Sequence, residues 1–362
     1  RQEKIDKLPI FVINLKERAD RLSHIKKEFK GKAQFDLGIC QAVKAKVATV
    51  GLWENIIKCI NRAIEMKCDP IIICEDDHSF TAEYKEEFLT HCINEGRKLN
   101  ADILLGGVSW LDDAIFVSEC LIKLSRFSGT QFLIIFKDAF PKLINAKFDS
   151  NIDTADRKIC EVLTGIFCIY PTISIQKEFG YSDVTARNNT EGRVANLFEH
   201  TELLCDTFKK ISSFYKEIVI NLSIEQYKKG LDRIAIPTYV INLKERSERL
   251  LHIQKQFEQR DEFSITIVDA IKHKNGAVGL WLSIRKIIQL AVENEDDVIV
   301  ICEDDHEFTD TYSKEVFLMN VILAQQLGIE YLSCGCSHFE HAVPITQNLY
   351  WVSLCQATQF IV

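Results

Sequence analysis

The sequence predicts an α/β fold in which a largely parallel sheet is flanked by helices, and it predicts that this fold is duplicated. First, the apolar run Ile71–Cys74 leads directly into the acidic stretch Glu75–His78, and continuous apolar runs are typical of strands buried on both faces of a parallel sheet. Second, strand-like and helix-like segments alternate along the chain. Third, the same run and acidic stretch return at Val298–His306.

The repeat extends well beyond the acidic stretch. Every matched pair of landmarks lies 228 positions apart (242 − 14, for example), and the pairs are Asn14 with Asn242, Trp53 with Trp281, Glu75 with Glu303, and Thr130 with Thr358. So long a period indicates a duplicated domain and not a solenoid. We expect one domain at 1–230, with a helical C-terminal tail, and a second at 231–362. Because Val362 corresponds to Ile134, the second domain is expected to be truncated or the chain to be a fragment.

Periodicity assigns the elements of the first domain. Strands are predicted where apolar residues run together, at Pro9–Leu15, Phe35–Ala42, Ile71–Cys74, Ala101–Leu105 and Gln131–Phe136. Helices are predicted where apolar residues recur every three or four positions, at Arg18–Phe29, Trp53–Met66, Glu83–Leu99 and Asp138–Ile144. The charged stretch 192–229 also has a helical pattern and is assigned to the tail.

Composition excludes several classes of protein. The chain has 362 residues, 47% of them hydrophobic, with a net charge of −8, which argues against binding to nucleic acid or to anionic membranes in general. No apolar run approaches the roughly 20 residues of a membrane span. The 13 cysteines are scattered without a CxxC pair, which favours free thiols and a reducing compartment. A cytoplasmic protein is expected, with peripheral attachment to the inner face of a membrane left open.

The acidic stretch predicts a divalent metal site. Three adjacent carboxylates repel one another unless a cation compensates them, and without nearby cysteine or histidine pairs Mn²⁺ or Mg²⁺ fits better than zinc. Because alternate side chains point the same way, Glu75 and Asp77 are the expected ligands and Asp76 faces elsewhere. Glu303 and Asp305 hold the same places in the second copy. The alternative is a solvated acidic turn that caps the following helix.

A second motif, Asn14-Leu-Lys-Glu-Arg18-x-x-Arg21, follows the first predicted strand. Its two arginines lie three residues apart on one helical face. Guanidinium groups and a helix N-terminus both favour phosphate, so a nucleoside diphosphate held jointly by arginines and a metal is predicted. The second copy keeps both arginines as Arg246 and Arg249. An ordinary solvated amphipathic helix is the alternative.

Together these motifs resemble glycosyltransferase family 25, which includes bacterial lipopolysaccharide galactosyltransferases and animal procollagen galactosyltransferases. The resemblance rests on the order of several motifs, which are Val12-Ile-Asn-Leu-Lys-Glu-Arg18, Gly51-Leu-Trp53, Ile72-Ile-Cys-Glu-Asp-Asp77, Ser128-Gly-Thr-Gln131 and Tyr170-Pro171. It implies a GT-A-like nucleotide-sugar-binding fold and Mn²⁺-dependent, inverting hexosyl transfer, typically from UDP-galactose. The acceptor would be a hydroxyl group of a glycan, a lipid-linked sugar or a protein.

The resemblance also implies roles for individual residues. Glu75 and Asp77 would bind the metal, as would Glu303 and Asp305 in the second copy. The donor-binding set would be Asn14, Arg18, Arg21, Asp76, Thr130 and Gln131, with Asn242, Arg246 and Arg249 in the second copy. Inversion by direct displacement requires a base; Asp153 is the first candidate, with a helix N-cap as its alternative role, and Asp156 is the second.

Two other functions stay open. The family usually carries Gly-Cys-x-x-Ser-His before the acidic strand, and the histidine is absent from both copies, at Ile56 and Ile284. A non-catalytic module that binds a sugar nucleotide or glycan through a degenerate site is therefore the main alternative. A metal-dependent phosphohydrolase is the other, although no nucleophile or second ligand cluster is evident.

Overall fold

The structure is a computed structural model that describes residues 7–42, 45, 47–112, 114–181, 186–220, 228–356 and 359–362. It divides into two compact units: unit 1 comprises Arg1–Ile211 with His341–Val343, and unit 2 comprises Ser212–Glu340 with Pro344–Val362. The division falls within a helix and not at the predicted boundary after residue 230. In the described part of the chain, no helix has the length and apolar character needed to cross a membrane.

Unit 1 contains short strands that alternate with helices. Its strands are β1 Leu8–Asn14, β2 Phe35–Gln41, β3 Ile71–Glu75, β4 His78–Phe80, β5 Ile103–Leu105, β6 Trp110–Asp112, β7 Ala114–Phe116, β8 Leu121–Lys123, β9 Arg126–Ser128, β10 Phe132–Ile135, β11 Ile166–Ile169 and β12 Ser174–Gln176. Its helices are α1 Ala19–Glu28, α2 Ala48–Glu65, α3 Glu86–Lys98, α4 Phe140–Ile144 and α5 Ala155–Val162, followed by α6, Arg193–Ile220, which continues past the division.

The main sheet of unit 1 runs in the order β7-β8-β11-β5-β10-β3-β1-β2. The pairs β1–β2, β1–β3 and β5–β11 are parallel, while β10 is antiparallel to both β3 and β5. Side chains from β1, β3 and β10 are fully buried, as expected for central strands covered by helices (Ile10, Val12, Ile72, Cys74 and Ile134). The predicted α/β fold with flanking helices is confirmed, with β10 and β8 each antiparallel to both of their neighbours in the sheet.

Unit 2 repeats the three strand–helix pairs with which unit 1 begins, but among its described residues no strand corresponds to β4. Its elements are β13 Ile236–Asn242, α7 Ser247–Gln256, β14 Phe263–Asp269, α8 Gly276–Glu293, β15 Val300–Glu303, α9 Lys314–Gln326, β16 His338–Phe339, β18 Tyr350–Val352, β19 Cys355–Gln356 and β20 Phe360–Ile361. Strand β17, His341–Pro344, comes between β16 and β18, and its first three residues belong to unit 1. One sheet runs β14-β13-β15-β20, with β20 antiparallel to β15. Ile236 pairs with Phe263 as Leu8 pairs with Phe35. Thr358, the landmark that matches Thr130, lies outside the described residues.

Candidate functional site

The acid cluster of unit 1, defined here as Glu75, Asp76 and Asp77, lies where β3 ends and before β4 begins. Strand β3 is central, between β1 and β10, and its backbone continues the ladder because the Glu75 N–H donates to the Gln131 carbonyl at 3.1 Å. The Thr130 hydroxyl donates to Glu75 Oε1 at 2.6 Å. The cluster is therefore held from the sheet side by the chain that enters β10.

Arg21 and Asn14 hold the two aspartates. Nη1 of Arg21 donates to Asp76 Oδ1 at 3.1 Å and to Asp77 Oδ2 at 3.0 Å. Asn14, the last residue of β1, donates from Nδ2 to Asp76 Oδ2 at 2.8 Å. Since both oxygens of Asp76 accept hydrogen bonds from protein groups, Asp76 serves mainly to fix Arg21 and Asn14 in place.

An aromatic cover closes over Arg21. Its guanidinium carbon lies 4.8 Å from the ring centre of Phe179 and 4.6 Å from that of Tyr181, and Nη2 donates to the Tyr181 carbonyl at 2.8 Å. Arg18 lies 5.3 Å from the same Tyr181 ring. Sequence reasoning missed both aromatic residues, because nothing local relates them to a helix about 160 positions earlier. Cation–π contact and burial together fix the guanidinium plane.

Burial raises the pKa of two of the acids. The pKa of Glu75 rises to about 8, through burial and then through the charge of Asp77. Burial also raises the pKa of Asp77 to about 6, although Arg21 opposes the shift. Oδ1 of Asp77 is buried and has no hydrogen-bond partner among the described residues. An orphaned carboxylate oxygen beside a second acid suits a divalent cation.

No group of three His, Cys, Asp or Glu side chains in the described part of the chain could hold a metal ion. A cation at this site would therefore take only the two carboxylates of Glu75 and Asp77 from the protein. Mg²⁺ commonly binds in this way, with water and substrate phosphates as its remaining ligands. The residues present fit a metal that arrives with a phosphorylated substrate better than a metal enclosed by protein.

The acid cluster opens into a cavity of about 720 Å³ within unit 1. Seven of the predicted site residues line it, and they are Arg18, Arg21, Glu75, Asp76, Asp77, Thr130 and Asp156. The lining residues that were not predicted as site residues include Trp110, Ser128, Asn188, Arg193 and Leu197. Asn14 and Gln131, which were also predicted, are buried and do not line the cavity. Gln131 donates to the Gly107 carbonyl at 2.8 Å.

The two candidate bases have different surroundings. Asp153 does not line the cavity; its Oδ2 lies 2.9 Å from Lys158 Nζ and accepts from the Asp149 N–H at 2.7 Å. These hydrogen bonds lower the pKa of Asp153, with Lys158 as the larger cause. Asp156 lines the cavity, and its Oδ2 accepts from the Ser128 hydroxyl at 2.9 Å. The N-cap of α5 is Thr154 and not Asp153.

His78, which ends the acidic motif, belongs to the core. It is fully buried, lies 2.7 Å from the Ser174 hydroxyl through Nδ1, and packs its ring 4.3 Å from that of Phe80. Burial lowers its pKa well below the usual range. A neutral imidazole packed among aromatic rings has a structural role here and does not line the cavity.

Unit 2 contains a second acid cluster with the same contacts. Asn242 Nδ2 donates to Asp304 Oδ2 at 2.9 Å, and Arg249 Nη1 donates to Asp304 Oδ1 at 2.9 Å and to Asp305 Oδ2 at 3.0 Å. The Glu303 N–H donates to the Gln359 carbonyl at 3.0 Å, and Arg246 is the N-cap of α7. The difference is exposure: the side chain of Arg249 is 38% exposed, against 6% for Arg21.

Residues 235–278 match the family model described as glycosyltransferase family 25 (LPS biosynthesis protein). The match spans β13, α7 and β14 and includes Asn242, Arg246 and Arg249, and it confirms the resemblance predicted from the motifs. No curated protein matches the chain.

Solved structures that resemble the chain include two of UDP-glucose pyrophosphorylase. The apo form has a TM-score of 0.31 and 11% identity over 54% of this chain and 82% of that chain. The complex with UDP-glucose has a TM-score of 0.32 and 10% identity over 54% and 81%. A glycosyltransferase involved in glycosylation of the major capsid of PBCV-1 has a TM-score of 0.30 and 12% identity over 54% and 99%.

Proposed function

We propose that this chain, with its match to glycosyltransferase family 25, transfers a galactose-like hexose from a nucleoside diphosphate to a hydroxyl group, with inversion and with the help of a metal. The observation that carries the proposal is that two carboxylates suited to a cation, an arginine and a separate candidate base all line one cavity in unit 1. The match of residues 235–278 to the family model supports the reaction class. The recurrence of motifs and strand order 228 positions later supports a duplicated domain.

Glu75 and Asp77 are the proposed metal ligands. Burial raises the pKa of both acids, which makes two adjacent anions unfavourable there without a cation, and Asp77 Oδ1 is a buried acceptor without a hydrogen-bond partner among the described residues. Mn²⁺ or Mg²⁺ bound there would neutralise the charge that develops on a departing diphosphate.

Arg21 and Arg18 have different proposed roles. Arg21 is occupied by Asp76, Asp77 and Tyr181, so its proposed role is to hold the acids in position, whereas a donor contact had been predicted. Arg18 lines the cavity beside Tyr181 and is the proposed contact for the diphosphate, where a guanidinium group can bind two phosphate oxygens.

Asp156 is the proposed base, in preference to Asp153. A carboxylate that faces the cavity can take the proton of an acceptor hydroxyl, whereas Asp153 is held by Lys158 away from it. In the proposed transfer step, the acceptor hydroxyl gives its proton to Asp156, and the hydroxyl oxygen bonds to the anomeric carbon of the donor hexose. The bond from that carbon to the phosphate oxygen breaks, and the electron pair leaves with the nucleoside diphosphate.

The experiment measures release of UDP from UDP-hexoses with Mn²⁺ and a panel of glycan, lipid-linked and peptide acceptors. We expect Asp77→Ala to lower the rate by about 100-fold or more. The matched control is Asp305→Ala in unit 2, which leaves the unit 1 site intact. A rate unchanged by Asp77→Ala contradicts the metal site.

The same assay separates the two other functions. Tight UDP binding without turnover on any acceptor favours a non-catalytic binding module. Steady release of phosphate from simple phosphomonoesters favours a phosphohydrolase.

A further inference from the structure

Trp110 is an exposed tryptophan on the wall of the unit 1 cavity. Its side chain is 47% exposed and lines the same cavity as the acid cluster. By contrast, Trp53 of the same unit is 5% exposed and stacks on Phe148 at 5.3 Å. A large aromatic side chain left open on the wall of a cavity lacks the burial that normally stabilises it, which points to a ligand with an apolar face.

The antiparallel pair of β6 and β9 fixes the backbone of Trp110 relative to the proposed reacting groups. Trp110 pairs with Ser128 in the antiparallel register, and the Ser109 N–H donates to the Ser128 carbonyl at 2.9 Å. The hydroxyl of Ser128 donates to Asp156, the proposed base. Two residues after Ser128, Thr130 donates to Glu75. Trp110 therefore pairs with the residue that holds the proposed base, and it lines the same cavity as the proposed metal ligands.

We infer that Trp110 is the stacking platform for a saccharide acceptor, which assigns a sugar ring as the group that receives the transferred hexose. A pyranose ring carries C–H groups on one face and hydroxyls around its edge. The C–H face suits an indole ring, while an edge hydroxyl suits the Asp156 carboxylate. This inference rests on the proposed function, because it takes Asp156 as the base.

Unit 2 keeps the antiparallel strand pair but carries an imidazole in place of the indole. Strands β16 and β19 pair His338 with Gln356 in the antiparallel register, and these residues lie 228 positions after Trp110 and Ser128 (338 − 110, 356 − 128). The strand pair is thus present in both units, whereas an indole occupies this position in unit 1 and His338 occupies it in unit 2. A side chain that differs on the same backbone arrangement is suited to setting specificity.

The test measures saccharide binding without requiring turnover. Saturation-transfer NMR is recorded for methyl β-galactoside and methyl β-glucoside on the full chain with UDP and Mg²⁺. We expect signals on the ring C–H protons for wild type, a loss of affinity of about tenfold for Trp110→Ala, and near wild-type signals for Trp110→Phe. The matched control is Trp281→Ala, which removes a tryptophan that is 58% exposed on α8.

A parallel calorimetric titration of UDP with Mg²⁺ separates this inference from the proposed function. Unchanged UDP affinity in Trp110→Ala, with weakened glycoside binding, supports an acceptor platform. Wild-type glycoside signals in Trp110→Ala, or no glycoside binding by wild type, overturn it. If instead the wild type does not bind UDP, the proposed function fails while the glycoside arm still reports on Trp110.

Discussion

Arg21 and Arg249 make the same pair of contacts with aspartates at nearly the same distances, yet one is buried and the other is open to solvent. Removing one partner of a buried ion pair costs about 3–5 kcal/mol because it leaves uncompensated charge. Solvent screens exposed pairs, which contribute little. We therefore predict that Arg21→Ala lowers the free energy of unfolding by about 3–5 kcal/mol and that Arg249→Ala lowers it much less.

Denaturant unfolding of both variants measures the difference, and Arg21→Lys adds a second comparison. Lysine restores the charge but cannot reach both aspartates and the Tyr181 carbonyl with a planar fork. We expect only partial recovery of stability. Equal losses at the two arginines would contradict the view that burial decides the strength of this contact.

Asp153 and Asp156 are separable by two readouts. The depressed pKa of Asp153 means that its stabilising effect is present above the unfolded value near 3.9 and is lost as the pH falls through the lower folded value. We predict that Asp153→Asn lowers the unfolding temperature at pH 7 and that the difference shrinks only below about pH 4. Thermal unfolding across this range measures the effect.

For Asp156→Asn we predict the opposite pattern. The transfer rate falls by roughly 10²–10⁴-fold because a general base is lost, while the unfolding temperature changes little. Steady-state kinetics of both variants provide the comparison. A larger fall in transfer rate for Asp153→Asn than for Asp156→Asn would indicate that Asp153 is the base.

At the scale of elements, the turn from β9 to β10 connects the strand that pairs with Trp110 to the acid cluster. Gly129 has φ +115°, and a Cβ there would lie 2.9 Å from Gln131 Oε1. We predict that Gly129→Ala lowers stability by about 1–2 kcal/mol and also weakens binding of UDP with Mn²⁺, because Thr130 shifts away from Glu75.

The matched control is Gly31→Ala. Gly31 has φ +83°, but no atom outside its immediate chain neighbours lies within 4 Å of the added Cβ, so only the backbone strain remains. We expect a loss of stability with unchanged binding, as measured by calorimetry. Unchanged binding in Gly129→Ala as well would show that the turn does not position Thr130.

The elements that sequence reasoning found are those with strong local patterns. The apolar run of β3 and the helical spacing of α1 and α3 predicted each element to within a few residues. Strands β6 to β9 have only three residues each, so their short runs are too weak to distinguish from loop. The antiparallel direction of β10 could not be predicted from the sequence either, because strand direction depends on pairing and not on composition.

For the candidate site too, only residues with a strong local sequence pattern were predicted. The acids and arginines were predicted because they are adjacent in sequence and follow buried strands. Phe179, Tyr181 and Trp110 were not, since their importance comes from contacts with distant residues. Choosing Asp156 over Asp153 also needed the structure, because sequence spacing cannot show which of two nearby carboxylates faces a cavity.

At the scale of the whole molecule, a ligand that binds only the folded state raises stability by about 2.7 kcal/mol at a concentration 100 times its dissociation constant. We predict that UDP with Mn²⁺ raises the unfolding temperature of the wild-type chain and that EDTA removes the increase. Asp77→Asn should abolish most of the shift. Asp305→Asn is the matched control in unit 2, and a shift lost only in that variant would move the donor site to unit 2.

The composition of the acid cluster has a kinetic consequence. Three carboxylates face one guanidinium, that of Arg21, so the fully ionised group has a surplus of two negative charges, which is the charge of one divalent ion. Because the pKa of Glu75 is raised to about 8, full ionisation near neutral pH requires such an ion. A nucleotide that arrives alone meets electrostatic repulsion, whereas one that arrives after the cation, or complexed with it, meets a neutral surface. Electroneutrality therefore favours a defined order of addition, with the cation entering before or together with the donor.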